Sequence, residues 1–174
     1  MSYDAMTKSI YLAGFDVFRP DAIEHGEFLK QQCAEFGFEG LFPTDNKPPI
    51  DTKGKLMAAW IFHFNREQIR KANYLMANLN EFRGAGEPDS GTVWEAGFAS
   101  GLGKPIWGYT ASTRSLKMRV PHNENLICDR GYKVEDFDLP MNLMIACSTQ
   151  IVIGGVRDCL KAIVAAETAY GVRD

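Results

Sequence analysis

The stretch Ser9-Ile10-Tyr11-Leu12-Ala13-Gly14 is a short apolar run that ends in glycine. Such a run predicts a buried strand whose carboxyl end opens into a loop. Further strands are predicted at 38–42, 74–79, 104–109 and 150–153. Segments with helical spacing lie at 21–36, 51–71, 91–103, 140–147 and 156–170. Because strands and helices alternate, we predict an α/β fold of about five parallel strands with helices on both faces.

The composition predicts one domain over residues 1–174. Of the 174 residues, 45% are apolar and 24% charged, as in an average globular protein. There are 19 basic and 22 acidic side chains, so nucleic acid and anionic membranes are poor candidate partners. The apolar runs are shorter than the ~20 residues that cross a bilayer, and no signal sequence opens the chain. We therefore expect a cytoplasmic protein.

Potential metal ligands are scattered along the chain. No C-x-x-C pair occurs, and no two histidines have helical spacing. We therefore predict no metal site, and we interpret the cysteines as core thiols of a reducing compartment. These residues are Cys33, Cys128, Cys147, Cys159, His25, His63 and His122.

Familiar nucleotide and hydrolase motifs are not present. The glycines at 84, 86, 101 and 103 do not have the spacing of a phosphate-binding loop, and Ser100 comes one position too late for a nucleophile elbow. Ligands of open parallel sheets bind at the carboxyl ends of the strands. Candidate site residues are therefore those after Tyr11, Phe42, Leu79 and Tyr109.

Two carboxylates stand out in the segment after the third strand. Asp89 precedes the helix predicted at 91–103 and can cap it, and Glu95 lies in its second turn. Val93, Gly97 and Gly101 form a small-residue stripe that would let this helix approach the sheet, with Glu95 beside it. The residues alone leave two interpretations open. Either Asp89 and Glu95 form a ligand site with two acids, or Asp89 only caps the helix and Glu95 is an exposed helix charge.

Several ordered segments together resemble the nucleoside 2-deoxyribosyltransferase family. They are Ile10-Tyr11-Leu12-Ala13-Gly14, Phe82-Arg83-Gly84, Asp89-Ser90-Gly91-Thr92 with Glu95-Ala96-Gly97, Gly103-Lys104-Pro105 and Pro140-Met141-Asn142-Leu143-Met144. The resemblance covers nearly the whole chain. It implies a flavodoxin-like three-layer sandwich that needs no cofactor and moves a 2-deoxyribosyl group between nucleobases by double displacement, as in deoxynucleoside salvage.

The resemblance also implies roles for three residues. Glu95 matches the family nucleophile, whose carboxylate attacks C1′ and forms a glycosyl ester. Asp89 matches the acid that contacts the base and assists its departure by proton exchange. Tyr11 matches the strand-end tyrosine that orients the nucleophile, although it is equally a residue type suited to the core.

Further residues match the family's substrate contacts. Asn65 aligns with a base-contacting Asn or Asp, and Phe18 is expected to stack on the base or else to pack on its own loop. Gly14 and Gly91 are expected beside the substrate. Asn142 and Met144 match residues that bind the sugar 5′-hydroxyl and shield the nucleophile of a neighbouring subunit. The alternative is that Met141, Leu143 and Met144 are ordinary helix core. The implied assembly is a homo-oligomer built from dimers with shared sites.

The chain departs from the family pattern at three places. Phe15 stands where many relatives have proline, and Asn73 stands where Asp is common. We place both near the ligand, where they would affect base preference. Residues 111–139, here called the insert, are long and weakly patterned. Their basic residues favour a solvated loop over a 5′-phosphate site or a lid. They are Arg114, Lys117, Arg119, His122 and Arg130.

Two other functions compete with base-to-base transfer. One is hydrolysis of the N-glycosidic bond of deoxynucleosides or their 5′-monophosphates, through the same glycosyl-enzyme intermediate. Asn142 stands where such hydrolases need phosphate-binding serines and arginines, which favours a free 5′-hydroxyl. The other is a non-catalytic nucleotide-binding module, because a fold does not fix a function.

Overall fold

The computed structural model describes residues 7–84 and 86–171. The strands are β1 (Ser9–Ala13), β2 (Glu39–Leu41), β3 (Tyr74–Asn78), β4 (Ile106–Thr110) and β5 (Gln150–Ile153). The helices are α1 (Ala22–Glu35), α2 (Gly54–Lys71), α3 (Ser90–Gly101), α4 (Leu116–Arg119), α5 (Leu143–Ser148) and α6 (Val156–Gly171), with a 3₁₀ turn at Phe15–Phe18. All strands are parallel, in the order β2-β1-β3-β4-β5. The predicted five-stranded parallel fold is thereby confirmed, with the order found in flavodoxin-like proteins.

The alternation of side chains along β1 creates a separate core on each face of the sheet. Ile10 and Leu12 pack with residues of α1 and α6. Tyr11 and Ala13 pack on the other face with residues of α2, α3 and the segment before α5. Successive strand residues point to opposite faces, so Tyr11 is directed toward α3.

Helix α3 approaches the sheet through a different surface from the predicted one. Gly97 and Gly101 are exposed, and a Cβ built on either would meet nothing within 4 Å. The buried residues are Thr92, Ala96 and Ala99. The prediction of a Val93, Gly97 and Gly101 contact was therefore wrong, because the chain carries two small helical surfaces and the alanine surface is the apolar one.

Other differences concern the segments between the strands. Helix α2 begins at Gly54 rather than Asp51, and both residues have positive φ angles, of 56° and 69°. The insert is more structured than expected, with α4, two isolated antiparallel bridges and the buried side chains of Leu116 and Val134.

Three residues lie elsewhere than predicted. Asn73 accepts a hydrogen bond from the backbone N–H of Ser9 at 2.8 Å, at the amino edge of the sheet and away from the ligand edge. Cys147 is exposed, and Cys128 is partly exposed, so only Cys33 and Cys159 are core thiols.

Within the described residues, no helix has the length and apolar character needed to cross a membrane.

Candidate active site

A chain of buried amides fixes the carboxyl ends of three strands, and we call it the strand-edge network. Asn78 donates to Asp16 Oδ2 at 2.9 Å, Asn80 donates to Asn78 Oδ1 at 2.8 Å, and Ala111 N–H donates to Asn80 Oδ1 at 2.8 Å. Gly14 lies against it, since a Cβ there would be 2.5 Å from Asp16 Oδ2. The network needs a residue without a side chain at this position.

The Glu95 carboxylate lies above this edge and is held by two neighbours. The Tyr11 hydroxyl donates to Glu95 Oε1 at 2.6 Å, and Asn65 Nδ2 donates to the same oxygen at 3.3 Å. Tyr11 comes from β1, Asn65 from α2 and Glu95 from α3. Both hydrogen bonds end on Oε1, so Oε2 is the oxygen that these neighbours leave free.

The surroundings of Glu95 shift its acidity toward neutral pH. Burial raises the pKa of Glu95 to about 7, while the hydrogen bonds from Tyr11 and Asn65 lower it and the charge of Asp89 raises it. Burial and the Glu95 charge raise the pKa of Tyr11 far above its ordinary value, so its hydroxyl remains a donor. A carboxylate in this environment is a typical nucleophile or general base.

Asp89 caps α3 and faces the same region. Its Oδ2 accepts hydrogen bonds from Thr92 N–H at 2.9 Å and from Thr92 Oγ1 at 3.1 Å. Both bonds end on Oδ2, which leaves Oδ1 directed away from the cap. Gly91 fits closely under this carboxylate, because a Cβ there would lie 3.0 Å from Oδ2.

A cavity of about 590 Å³ opens beside Glu95, and we call it the main cavity. Its walls are mostly apolar and include Phe18, Pro43, Met57 and Trp60, while Asn65 and Glu95 provide polar groups. Gly14 and Gly91 also line it. The Oδ1 of Asn65 is buried and has no hydrogen-bond partner among the described residues. A ligand that donates a hydrogen bond would satisfy this oxygen.

Phe18 stacks on a ring from another loop. Its ring lies 5.4 Å from that of Phe82, and the Arg83 guanidinium is 5.3 Å from the Phe18 centroid. Phe15 stacks on Phe82 at 5.1 Å. Phe18 is nevertheless 57% exposed and forms part of the cavity wall, so its ring is available to a flat ligand.

Asn142 and Met144 do not line the cavity that contains Glu95 of the same chain. Asn142 caps α5 by accepting from Met144 N–H at 3.0 Å, and its Nδ2 donates to Glu135 at 2.6 Å. Met144 is 72% exposed, while Met141 is buried. Met144 is therefore not a core residue.

Sequence reasoning missed several residues of the site. The loop after β2 was placed at the ligand edge, but Pro43, Thr44 and Asn46 were not identified as cavity walls. Trp60 was included only in a helical pattern, and the available signal for this wall was the spacing of Met57 and Ile61, eight and four residues before Asn65 on one face of α2. A larger open groove of about 790 Å³ lies along α1 and β2 and contains none of the predicted site residues.

Comparisons with known proteins point in one direction. Residues 10–144 match the family model described as nucleoside 2-deoxyribosyltransferase. The structure of a 2-desoxiribosyltransferase from Leishmania mexicana is similar, with a TM-score of 0.75 and 31% identity over 91% of this chain and 97% of that chain.

Two further similar proteins have a lower sequence identity or a shorter matched segment. A 2-deoxyribosyltransferase from Bacillus psychrosaccharolyticus has a TM-score of 0.51 and 22% identity over 64% of this chain and 78% of that one, which shows a shared fold. An uncharacterized protein of Schizosaccharomyces pombe is 33% identical over 113 residues, or 64% of this chain. The match covers 54% of that relative, so the chain spans about half its length.

Proposed function

Because the chain belongs to the nucleoside 2-deoxyribosyltransferase family, we propose that it transfers a 2-deoxyribosyl group from one nucleobase to another through a glycosyl ester on Glu95. The observation that carries this proposal is the Glu95 carboxylate, fixed by Tyr11 and Asn65 through Oε1 at the edge of the main cavity. The opposite oxygen, Oε2, is the one we assign to bond formation with C1′.

The first displacement forms the ester and releases the first base. Glu95 Oε2 forms a bond to C1′ while the C1′–N bond breaks, and Asp89 supplies the proton that the departing base requires. A base anion is a poor leaving group, so an acid at this position lowers the barrier. An oxocarbenium-like transition state carries positive charge, which the buried carboxylate stabilises.

The second displacement reverses these events with a new base. The nitrogen of the incoming base attacks C1′, the ester bond to Glu95 breaks, and Asp89 takes the proton of the incoming base. Two inversions retain the β configuration. The wall formed by Phe18 and Trp60 supports this step, since flat apolar rings suit a nucleobase that must bind, leave and be replaced.

The insert supports a substrate with a free 5′-hydroxyl. Three of its five lysine and arginine side chains are already engaged: Lys117 pairs with Asp136 at 2.7 Å, Arg114 donates to the Met118 carbonyl, and Arg119 donates to the carbonyls of Gly86 and Pro140. A phosphate site would need such side chains to be available. We therefore favour deoxynucleosides over their 5′-monophosphates.

A shared site in a homo-oligomer forms part of the same proposal. A side opening of about 310 Å³ lies between Glu95, Phe62 and Trp94. Phe62 and Trp94 are 43% and 46% exposed, and with Phe98 they form a surface that we call the aromatic face. We place the partner subunit's Asn142 and the partner subunit's Met144 at this opening.

The transfer proposal is tested by incubating deoxyinosine with adenine and separating the products by chromatography. Deoxyadenosine formed by the wild-type protein but not by Glu95→Ala is the expected result. Inosine with adenine is the control for the 2′ position. Free deoxyribose without a new nucleoside would replace transfer by hydrolysis, and binding without any reaction would indicate a non-catalytic module.

The shared site is tested by mixing two inactive variants. Glu95→Ala subunits lack the nucleophile, and Asn142→Ala subunits lack the proposed sugar contact. If sites are shared, dissociating and reassembling the two together restores transfer, because some sites then hold an intact Glu95 and an intact Asn142. If each chain builds its own site, the mixture stays as inactive as its components.

A further inference from the structure

Arg119 at the end of α4 joins two segments that border the site. Its Nη1 donates to the carbonyl oxygen of Gly86, and its Nη2 donates to that of Pro140. Gly86 lies three residues before Asp89, and Pro140 lies two residues before Asn142. We propose that Arg119 is a positioning residue that sets the loop carrying Asp89 and the turn carrying Asn142 relative to each other.

The loop before Asp89 is held at its start by Phe82, which stacks on Phe15 and Phe18, and near its end by Arg119. Arg83, Gly84 and Gly86 have positive φ angles of 57°, 70° and 71°, so the chain reverses direction sharply here. A hydrogen bond from Phe82 N–H to the Glu87 carbonyl, at 3.0 Å, closes the loop on itself but does not tie it to the rest of the molecule. The bond from Arg119 provides such a tie.

The turn that carries Asn142 is held by the insert from two sides. Arg119 binds the Pro140 carbonyl on one side. On the other side, Glu135 accepts hydrogen bonds from Asn142 Nδ2 at 2.6 Å and from Leu143 N–H at 3.0 Å. The insert therefore connects Asp89 to Asn142 through groups of its own.

The insert is itself closed, as a connecting element requires. Leu116 N–H donates to the Leu139 carbonyl at 2.8 Å, so its two ends are fastened together. The Lys117–Asp136 ion pair across it is exposed at both side chains and contributes little to this closure. A displacement of the loop before Asp89 can thus shift the turn that carries Asn142 through packed and hydrogen-bonded groups.

The guanidinium is suited to this role by its shape as well as its charge. It is partly buried, and its Nε is buried with no hydrogen-bond partner within the described part of the chain. Desolvation raises the pKa of Glu87, the charge of Arg119 lowers it, and Glu135 raises it, so the Arg119 cation acts on a carboxylate of the loop before Asp89. A lysine would keep the charge but lacks the planar fork that reaches both carbonyls.

This inference rests on the proposed function, and its test compares two substrates. We would measure kcat and KM of Arg119→Met, Arg119→Lys and the control Lys117→Met, which removes a neighbouring cation of the same helix. The substrates are deoxyinosine and 7-methyl-2′-deoxyguanosine, whose cationic base leaves without a proton from Asp89. Misplaced catalytic groups cost up to about 100-fold in rate.

Both Arg119 variants are expected to lose about 10-fold or more in kcat with deoxyinosine and clearly less with 7-methyl-2′-deoxyguanosine. Lys117→Met should behave as wild type. Adding Arg119→Met to Asp89→Asn should cause little further loss with deoxyinosine, since residues that act together are not additive. Equal losses on both substrates, full additivity with Asp89→Asn, or a fully active Arg119→Lys would overturn the inference.

A second measurement does not depend on activity. In hydrogen exchange, Arg119→Lys should accelerate exchange in peptides covering 82–89 and 140–146 together, while Lys117→Met should not. Unchanged exchange in both peptides would overturn the proposed connection even if the enzyme is active. Wild-type protein that transfers to no base, with the exchange result as expected, would remove the proposed function and leave the connection standing. If Arg119→Met does not fold, the lysine variant carries every comparison.

Discussion

In the proposed mechanism Glu95 must be ionised to attack C1′, yet its burial favours the neutral form. The pKa of about 7 reflects this conflict, with burial raising it and the hydrogen bonds of Tyr11 and Asn65 opposing the rise. The two donors therefore do more than orient the carboxylate. They keep a useful fraction of it ionised near neutral pH.

The pH dependence of transfer should report this balance. Only ionised Glu95 reacts, so the rising limb of kcat/KM should have its midpoint near pH 7. Tyr11→Phe removes a group that lowers the pKa of Glu95, so the rising limb should move to higher pH. The shift should be at least about one unit, because a hydrogen bond to a charged group contributes about 1.5–3 kcal/mol. A profile measured between about pH 5 and 9 checks this; an unmoved limb in Tyr11→Phe would contradict it.

The same burial should make Glu95 costly to stability above neutral pH. Because the pKa of Glu95 in the folded state is raised to about 7, the protonated side chain stabilises the fold at pH values below the ordinary glutamate pKa. This stabilisation is lost as the pH rises through about 7. Glu95→Gln should therefore be more stable than wild type near pH 8, by up to about 3 kcal/mol. The gain should shrink toward pH 5.

Urea unfolding at both pH values measures this difference. The exposed Glu24 of α1 supplies the control, since Glu24→Gln should leave the free energy of unfolding nearly unchanged. An equal gain for Glu95→Gln at both pH values would show that packing, and not ionisation, is responsible.

At the scale of the element, Asp89 at the start of α3 has two proposed roles. Asp89 caps the helix with Oδ2 through Thr92, and the cap leaves Oδ1 for the proposed proton transfer. Asparagine keeps the capping acceptor but cannot give a proton. We therefore expect Asp89→Asn to retain the wild-type free energy of unfolding while losing transfer by about 100-fold or more.

Asp89→Ala should lose both properties. Removing the cap should lower the free energy of unfolding by about 1 kcal/mol, in addition to the loss of transfer. Asp21→Ala is the control, because Asp21 is the N-cap of α1 and its side chain makes no capping bond. Thermal melts and initial rates of the variants separate the two duties; an Asn variant with full activity would show that Asp89 only caps.

Local patterns predicted the elements better than their contacts. Short apolar runs and the Asp89 cap were visible in the sequence because they depend on neighbouring residues. The position of Asn73 was misjudged because the comparison with the family pattern was preferred to the strand-end rule, by which a residue just before β3 lies at the amino edge. The buried surface of α3 was misjudged because two small surfaces share one helix. Arg119 was taken as part of a solvated loop, and its backbone carbonyl partners leave no residue pattern.

At the scale of the whole molecule, α2 and α3 leave the aromatic face uncovered. Trp94 stacks on Phe98 at 5.4 Å and contacts Phe62 at 5.3 Å, and all three rings lie at the surface in part or in full. Connected apolar surfaces of this kind are typical of association sites. This face adjoins the side opening to Glu95.

Trp94→Asp should therefore dissociate the assembly and reduce transfer. The substitution removes the indole from the apolar surface and adds a charge that is costly to bury, so we expect a smaller particle by analytical ultracentrifugation and a transfer rate lower by about 10-fold or more. Ile23→Asp is the matched control, because Ile23 is 69% exposed on α1, on the other face of the sheet. A Trp94→Asp protein that keeps its size and its rate would contradict the shared site.

The strand-edge network and the main cavity draw on different parts of the chain. The network joins the ends of three strands through Asp16, Asn78 and Asn80, whereas much of the cavity wall comes from residues 43–48 and the first turns of α2. Substitutions in that wall can alter which base fits without moving the Tyr11–Glu95 pair. In the proposed enzyme, base preference is therefore the property that single substitutions can alter, while the Tyr11–Glu95 pair keeps its geometry.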